Sequence, residues 1–143
     1  VVEHDLRIVV YNAEALEPLE RAAARHGRRA AVHIKVETGT HRQGIAEAEV
    51  EAFARRVSDS PGLILEGMST HFANIEDTTD HRFAESQIAA FEEAASLASD
   101  GGGTPPLRHT ACSIRRRRPD AIWLASPCRA VRRSTSEKVS KPS

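Results

Sequence analysis

The sequence predicts a parallel α/β fold, and two observations carry that prediction. Short β-rich runs alternate with longer stretches of helical periodicity, in the order strand, helix, strand, helix, strand, helix, strand. Successive strands also start roughly 25–45 residues apart, which is the scale of a βαβ crossover. Periodicity does not choose between an open doubly wound sheet and a closed barrel.

The elements follow in order. Residues 6–11, Leu-Arg-Ile-Val-Val-Tyr, form the first strand, and Asn12 turns or caps what comes next. Leu16, Leu19 and Ala23 share one face of a helix over residues 16–26. Its start lies near Pro18, which only the first turn tolerates, and Gly27 stops it. Residues 30–36 are the second strand, followed by a polar loop over 37–44. Ala46, Val50, Phe53, Ala54 and Val57 then recur at helical spacing, with Glu47, Glu49, Glu51, Arg55 and Arg56 turned to water. Ser60-Pro61-Gly62 is a turn into a third strand over 63–68, with a loop over 70–80. Phe83, Gln87, Ile88, Phe91, Ala95 and Ala98 line one side of a helix over 82–99, and Gly101-Gly102-Gly103 ends it. A short run from Leu107 through Thr110 is the last strand.

Composition bounds the class. With 40% hydrophobic and 28% charged residues in 143, the chain reads as one soluble globular unit. It contains no apolar run near the ~20 residues of a membrane span, and residues 1–5 carry charge rather than a leader's apolar core. A start at Val rather than Met suggests an incomplete N-terminus. Two cysteines, Cys112 and Cys128, imply no disulfide framework and a reducing, cytoplasmic location. The net charge of zero hides a division. Residues 1–113 hold 11 Lys+Arg against 18 Asp+Glu, a balance of −7, and residues 114–143 hold 9 against 2, a balance of +7. That asymmetry separates an N-terminal domain, 1–113, from a basic tail, 114–143.

Polar residues gather past the carboxyl end of each predicted strand: 35–42, 70–74 and 109–113. In parallel α/β folds ligands bind at that edge. Taken singly these residues are weak signals. His71 alone reads as a structural or surface histidine, and Arg42 as a solvated charge. His33, His41, His71 and His81 with Asp77 and Asp80 lack a metal-binding spacing, so no metal is expected. The triple glycine follows a helix rather than a strand, so it reads as a helix stop and not a phosphate cradle.

Together the segments are specific. Residues 33–44, HIKVETGTHRQG, resemble the alanine racemase signature HLKVDTGMxRxG. Residues 65–73, LEGMSTHFA, resemble that family's LEGxxTHFA, and residues 107–113, LRHTACS, its HxANS. Gln87 to Phe91 resembles its QxxxF helix. The resemblance spans about residues 6–113 and implies a fragment of a (β/α)8 barrel, about four consecutive βα units. It implies pyridoxal 5'-phosphate as cofactor and interconversion of L- and D-alanine, supplying D-alanine for peptidoglycan. It also implies a homodimeric full-length parent. Carried over by position, Arg42 hydrogen-bonds the cofactor's phenolic oxygen. Lys35 is the lysine that some members carry as a carbamate bracing that arginine. His71 orients the arginine facing the pyridine nitrogen, and Ser113 binds phosphate.

Some positions depart from the family pattern. Cys112 replaces Asn, Glu37 replaces Asp, and Thr40-His41 replaces Met-Gly. No segment resembles the AxxKAxAYGHG context of the Schiff-base lysine, and the only tyrosine, Tyr11, lies in the first strand. Catalytic residues are therefore expected outside the chain, and the chain alone is expected to be inactive. After Ser113 the family's VRxGxxxYG pattern is replaced by Ile114-Arg115-Arg116-Arg117-Arg118-Pro119 and a Ser-, Arg- and Pro-rich stretch. That tail reads as an out-of-frame translation or a basic arm. With one aromatic, Trp123, and no basic–aromatic repeat, nucleic acid is the less favoured partner. The alternatives are another racemase or decarboxylase of the same barrel type, or a non-catalytic gene remnant.

Overall fold

The computed structural model describes residues 1–73 and 81–112. The elements are β1 (Ile8–Val10), α1 (Leu16–His26), β2 (Ala30–Lys35), α2 (Glu47–Ser58), β3 (Leu63–Phe72), α3 (Arg82–Asp100) and β4 (Leu107–Cys112). A single 3-10 turn over Ala13–Ala15 joins β1 to α1, and the Asn12 side chain accepts from the Ala15 amide at 3.2 Å. Among the described residues no helix is long and apolar enough to cross a membrane.

The four strands pair in parallel, in the order β1-β2-β3-β4. A doubly wound sheet reverses the direction of strand addition at a switch point and carries helices on both faces. Here every strand joins the same growing edge. With right-handed crossovers, that order puts all three helices on one face. The winding is therefore that of a barrel segment, which resolves the ambiguity that periodicity left open.

Burial agrees. Val10, Val32, Ile34, Val36 and Met68 pack into one core with Leu16, Leu19, Val50, Ala54, Val57, Phe91, Ala95 and Ala98. Alternate residues point to the other face, where Val9, Tyr11 and Ile64 remain 45%, 41% and 39% exposed. Helices α1 and α2 are clasped across their surfaces by Glu20, which accepts from both terminal nitrogens of Arg56 at 2.6 and 2.8 Å.

Several boundaries differ from the sequence reading. β1 shrinks to three residues, because only Ile8, Val9 and Val10 find partners, in Val32, His33 and Ile34. β3 runs through Phe72, four residues past Met68, so Thr70 and His71 belong to the strand and not to a loop. The reason is pairing, since Gly67 through Phe72 match Leu107 through Cys112 one for one. For the same reason β4 runs on through Ala111 and Cys112, two residues past Thr110. On α3 the buried stripe is Gln87, Phe91, Ala94, Ala95 and Ala98, while Phe83 and Ile88 are exposed. Ile88 lies at about the same helical angle as Ala95 but about two turns earlier, and the buried apolar positions of α3 begin at Phe91.

The register of β2 on β3 contains one irregularity. Val32 pairs with Leu65 but His33 pairs with Gly67, so Glu66 is an extra residue, a β-bulge. A Cβ at Gly67 would lie 2.6 Å from His33 Nδ1 and 3.0 Å from the Leu107 carbonyl oxygen. Only glycine fits between those neighbours. Gly67→Ala should therefore cost about 2 kcal/mol of unfolding free energy, as overpacking does. Urea denaturation checks this, and an unchanged midpoint would mean that His33 and β4 do not close on the bulge.

Candidate functional site

The loop after β2 is built around one carboxylate. Its base is closed by a bridge between Val36 and Ile45: the Ile45 amide donates to Lys35 O at 2.8 Å and the Glu37 amide to Ile45 O at 3.0 Å. Gly44 crosses that base at φ +152°, and a Cβ there would lie 2.4 Å from the Glu37 nitrogen. Inside the loop Glu37 accepts from the Gly39 amide at 2.6 Å, the Thr40 hydroxyl at 3.0 Å and the Arg42 amide at 3.2 Å. Partial burial alone would raise the Glu37 pKa. The hydrogen bonds from Gly39, His41, Thr40 and Arg42 outweigh it and hold the group at about 2. His41 adopts φ +49°, the left-handed region, which costs a non-glycine residue about 1 kcal/mol.

The loop is also pinned to β3. Thr70, buried under the helices, donates to Val36 O at 3.0 Å and meets the Thr38 hydroxyl at 2.7 Å. Gln87 of α3 holds the chain just past β3. Its amide nitrogen donates to Ala73 O at 2.9 Å and its carbonyl accepts from the Ala73 amide at 2.7 Å. This gives the QxxxF pattern a physical meaning: Gln87 positions the strand end and Phe91, one turn on, fills the core.

On the opposite sheet face, in-register residues of parallel strands point the same way. Lys35 pairs with Ser69 and Ser69 with His109, so these three share one level. His71 lies two residues further along β3 on that same face. Burial lowers the His71 pKa first, and the nearby positive charges of Arg42 and then Lys35 lower it further. Three of the four sequence-derived site residues, Lys35, Arg42 and His71, are thus within electrostatic reach of one another. Lys35 also reaches the Gln43 side-chain oxygen at 3.5 Å. Ser113 lies outside the described residues, as do Asn74, Asp77 and Asp80 and the basic tail with Trp123 and Cys128.

The sequence reading missed a second polar group below this level. Arg7 donates to Glu66 at 3.1 Å, Glu66 meets His33 Nε2 at 3.0 Å, and His33 Nδ1 meets His109 Nε2 at 2.9 Å. His33, Glu66 and His109 each belong to a motif segment quoted above. Their mutual contact depends on the bulge, which no single segment encodes.

Four parallel strands added in sequence along one edge, with the helices on one face and polar groups at the strand ends, define an α/β unit of the barrel type. The model of the family "Alanine racemase, N-terminal domain" matches residues 1–124, and the chain belongs to that family. It is 34% identical over 113 residues to the alanine racemase of Desulfovibrio desulfuricans, which covers 79% of this chain and 30% of that protein. Likewise it is 34% identical over 125 residues to the alanine racemase of Sorangium cellulosum, covering 87% and 33%. Among solved structures, alanine racemase from D-cycloserine-producing Streptomyces lavendulae superposes with a TM-score of 0.71 at 26% identity, over 77% of this chain and 29% of that one. The chain spans about a third of the length of the curated relatives it matches.

The Glu37 geometry sets a pH dependence. Its folded pKa is about 2 against an ordinary 4.5, so the contribution of this carboxylate to stability is complete above pH 4.5 and is lost as pH falls from 4.5 toward 2. Glu37→Gln should remove that acid-side dependence and free the backbone of 39–42 to exchange faster. Amide hydrogen exchange at pH 6 in both proteins checks this, and equal protection of the Gly39 and Arg42 amides would contradict it.

Proposed function

We propose that this chain is part of the cofactor-binding barrel of an alanine racemase, which interconverts L- and D-alanine with pyridoxal 5'-phosphate. The observation that carries the reading is the cationic cluster of Lys35, Arg42 and His71 at the strand ends. Its charges already depress protonation of His71, so the cluster favours an anionic ligand. That donor set fits an anionic phenolic oxygen on a planar ring. The cofactor, when bound, takes up charge from the substrate's α-carbon and makes its proton acidic.

Within this reading each side chain has a distinct task. The Arg42 guanidinium donates to the phenolic oxygen from a loop whose backbone Glu37 holds. Lys35 braces that loop, directly or as its carbamate. His71, kept neutral by burial and by its cationic neighbours, accepts from the arginine that faces the pyridine nitrogen. Ser113 supplies a hydroxyl to the phosphate. The two opposed bases that move the α-proton are a lysine and a tyrosine in segments that these 143 residues do not contain, so the isolated chain has no turnover of its own. A cytoplasmic homodimer feeding D-alanine to the cell wall completes the reading.

A segment exchange tests it. Residues 1–112 would replace the matching segment of the Desulfovibrio desulfuricans enzyme, with D-alanine formation measured by a coupled assay. The hybrid should racemise alanine, and Arg42→Ala within it should lower kcat/KM by about 100-fold, the scale of losing one charge-stabilising donor. A folded hybrid that binds cofactor but acts on a different amino acid, or in which Arg42→Ala changes nothing, would overturn the assignment. The 143-residue chain with added cofactor should not exceed the cofactor-alone rate.

A further inference from the structure

We infer that Glu66 fixes the proton arrangement of two imidazoles, the buried His33 and the half-buried His109, and so presents His109 Nδ1 to the candidate site as a hydrogen-bond acceptor. The array runs across the sheet from the segment before β1 to β4. Arg7 Nε donates to both Glu66 oxygens, at 3.3 and 3.1 Å, and its terminal nitrogen is anchored on Asp5. Glu66 Oε2 lies 3.0 Å from His33 Nε2, and His33 Nδ1 lies 2.9 Å from His109 Nε2, with the two rings tilted by 58°.

The chemistry of the groups orders the protons. An ionised carboxylate only accepts, so His33 Nε2 carries hydrogen. A neutral imidazole carries one such hydrogen, which leaves the His33 Nδ1 lone pair to be met. Among the described residues the group that meets it is His109 Nε2, which therefore donates. His109 then has its own lone pair on Nδ1, facing away from His33. Neutrality of the pair follows from its surroundings. Arg7 already supplies the counter-charge to Glu66, so a proton added to His33 would leave the part-buried array with a net positive charge, and two imidazolium rings 2.9 Å apart would also repel. Burial lowers the His109 pKa, and any positive charge on His33 would lower it further.

Two backbone features are given over to this contact. The bulge sets Gly67, rather than Glu66, in register with His33. Gly67 leaves room for the His33 ring that a Cβ would occupy. The endpoint also matters. His109 is in register with Ser69 and, through it, with Lys35, so the acceptor lies in the floor of the candidate site, one level below His71. Glu66 is thus a positioning residue that acts through His33. Its service to a cofactor site rests on the function proposed above, but the proton arrangement itself does not.

Nitrogen-15 NMR of the histidine rings in the cofactor-free 143-residue chain tests the arrangement independently of any activity. Near neutral pH, His33 should show a protonated Nε2 with a bare Nδ1, and so should His109. Glu66→Gln keeps an oxygen acceptor and should retain both patterns. Glu66→Ala should move both rings toward the tautomer mixture of an exposed histidine. Should Glu66→Ala fail to fold, His109→Ala decides between the two ends of the array. If Glu66 is the determinant, His33 keeps its Nε2 proton when its partner ring is gone. A protonated Nδ1 on His109 in the unaltered chain would overturn the inference. So would a His33 that changes tautomer in His109→Ala, or a spectrum in which His33 and His109 match the exposed histidines.

Discussion

The site depends on one extra residue in one strand. Up to Leu65, β3 turns its leucines toward the helices, and Leu63 is fully buried there. A strand of strict two-residue period would keep every odd-numbered residue on that side, which would drive Ser69 and His71 into the apolar core. The bulge at Glu66 changes the phase. Beyond it Met68 and Thr70 take the core positions, and Ser69 and His71 come out on the face that carries Lys35 and His109. The same insertion sets Gly67 opposite His33, where the ring needs the room. A single backbone irregularity thus separates apolar packing from polar chemistry along β3.

Strand order adds the second constraint. Because β1 through β4 join one edge in sequence, the helices take one face and the other is left for polar groups. On the helix side the ties are local and strong: Thr70 to the Val36 carbonyl, Thr38 to Thr70, and Gln87 to both backbone groups of Ala73. These bonds hold the ends of β2 and β3 where the loop carrying Arg42 begins. The loop itself is organised by Glu37, whose charge is met by the Gly39 and Arg42 amides and the Thr40 hydroxyl rather than by the Arg42 guanidinium. That division leaves the cluster of Lys35, Arg42 and His71 with an excess of positive charge.

Much of this was legible in the sequence, and the part that was not has a physical reason. The helices over residues 16–26 and 47–58 follow from apolar spacing, because each buries a single stripe against one sheet face. Lys35, Arg42 and His71 could be placed together because each lies in a motif segment at a predicted strand end. The end of β3 could not be placed. Ser69, Thr70 and His71 are polar and read as loop, yet pairing with β4 keeps them extended. The bulge was equally hidden, since a change of face at Glu66 appears only when β2 is laid beside β3. The meeting of Glu66, His33 and His109 likewise shows only when β2, β3 and β4 are laid side by side. On α3, Phe83 and Ile88 fit an apolar stripe that the backbone does not bury.

Lys35, which ends β2, and Arg42 in the loop after it converge with His71 of β3 in one cationic centre. The protonation of His71 reports on it most directly, because its lowered pKa has three named causes: burial, then Arg42, then Lys35. An NMR titration of His71 in the chain and in its Arg42→Ala variant separates the charge from the burial. The account predicts a pKa below the ordinary 6.5 in the unaltered chain and a rise toward it when Arg42 loses its charge. An ordinary value in the unaltered chain, or a lowered one that Arg42→Ala leaves in place, would contradict the convergence of these groups.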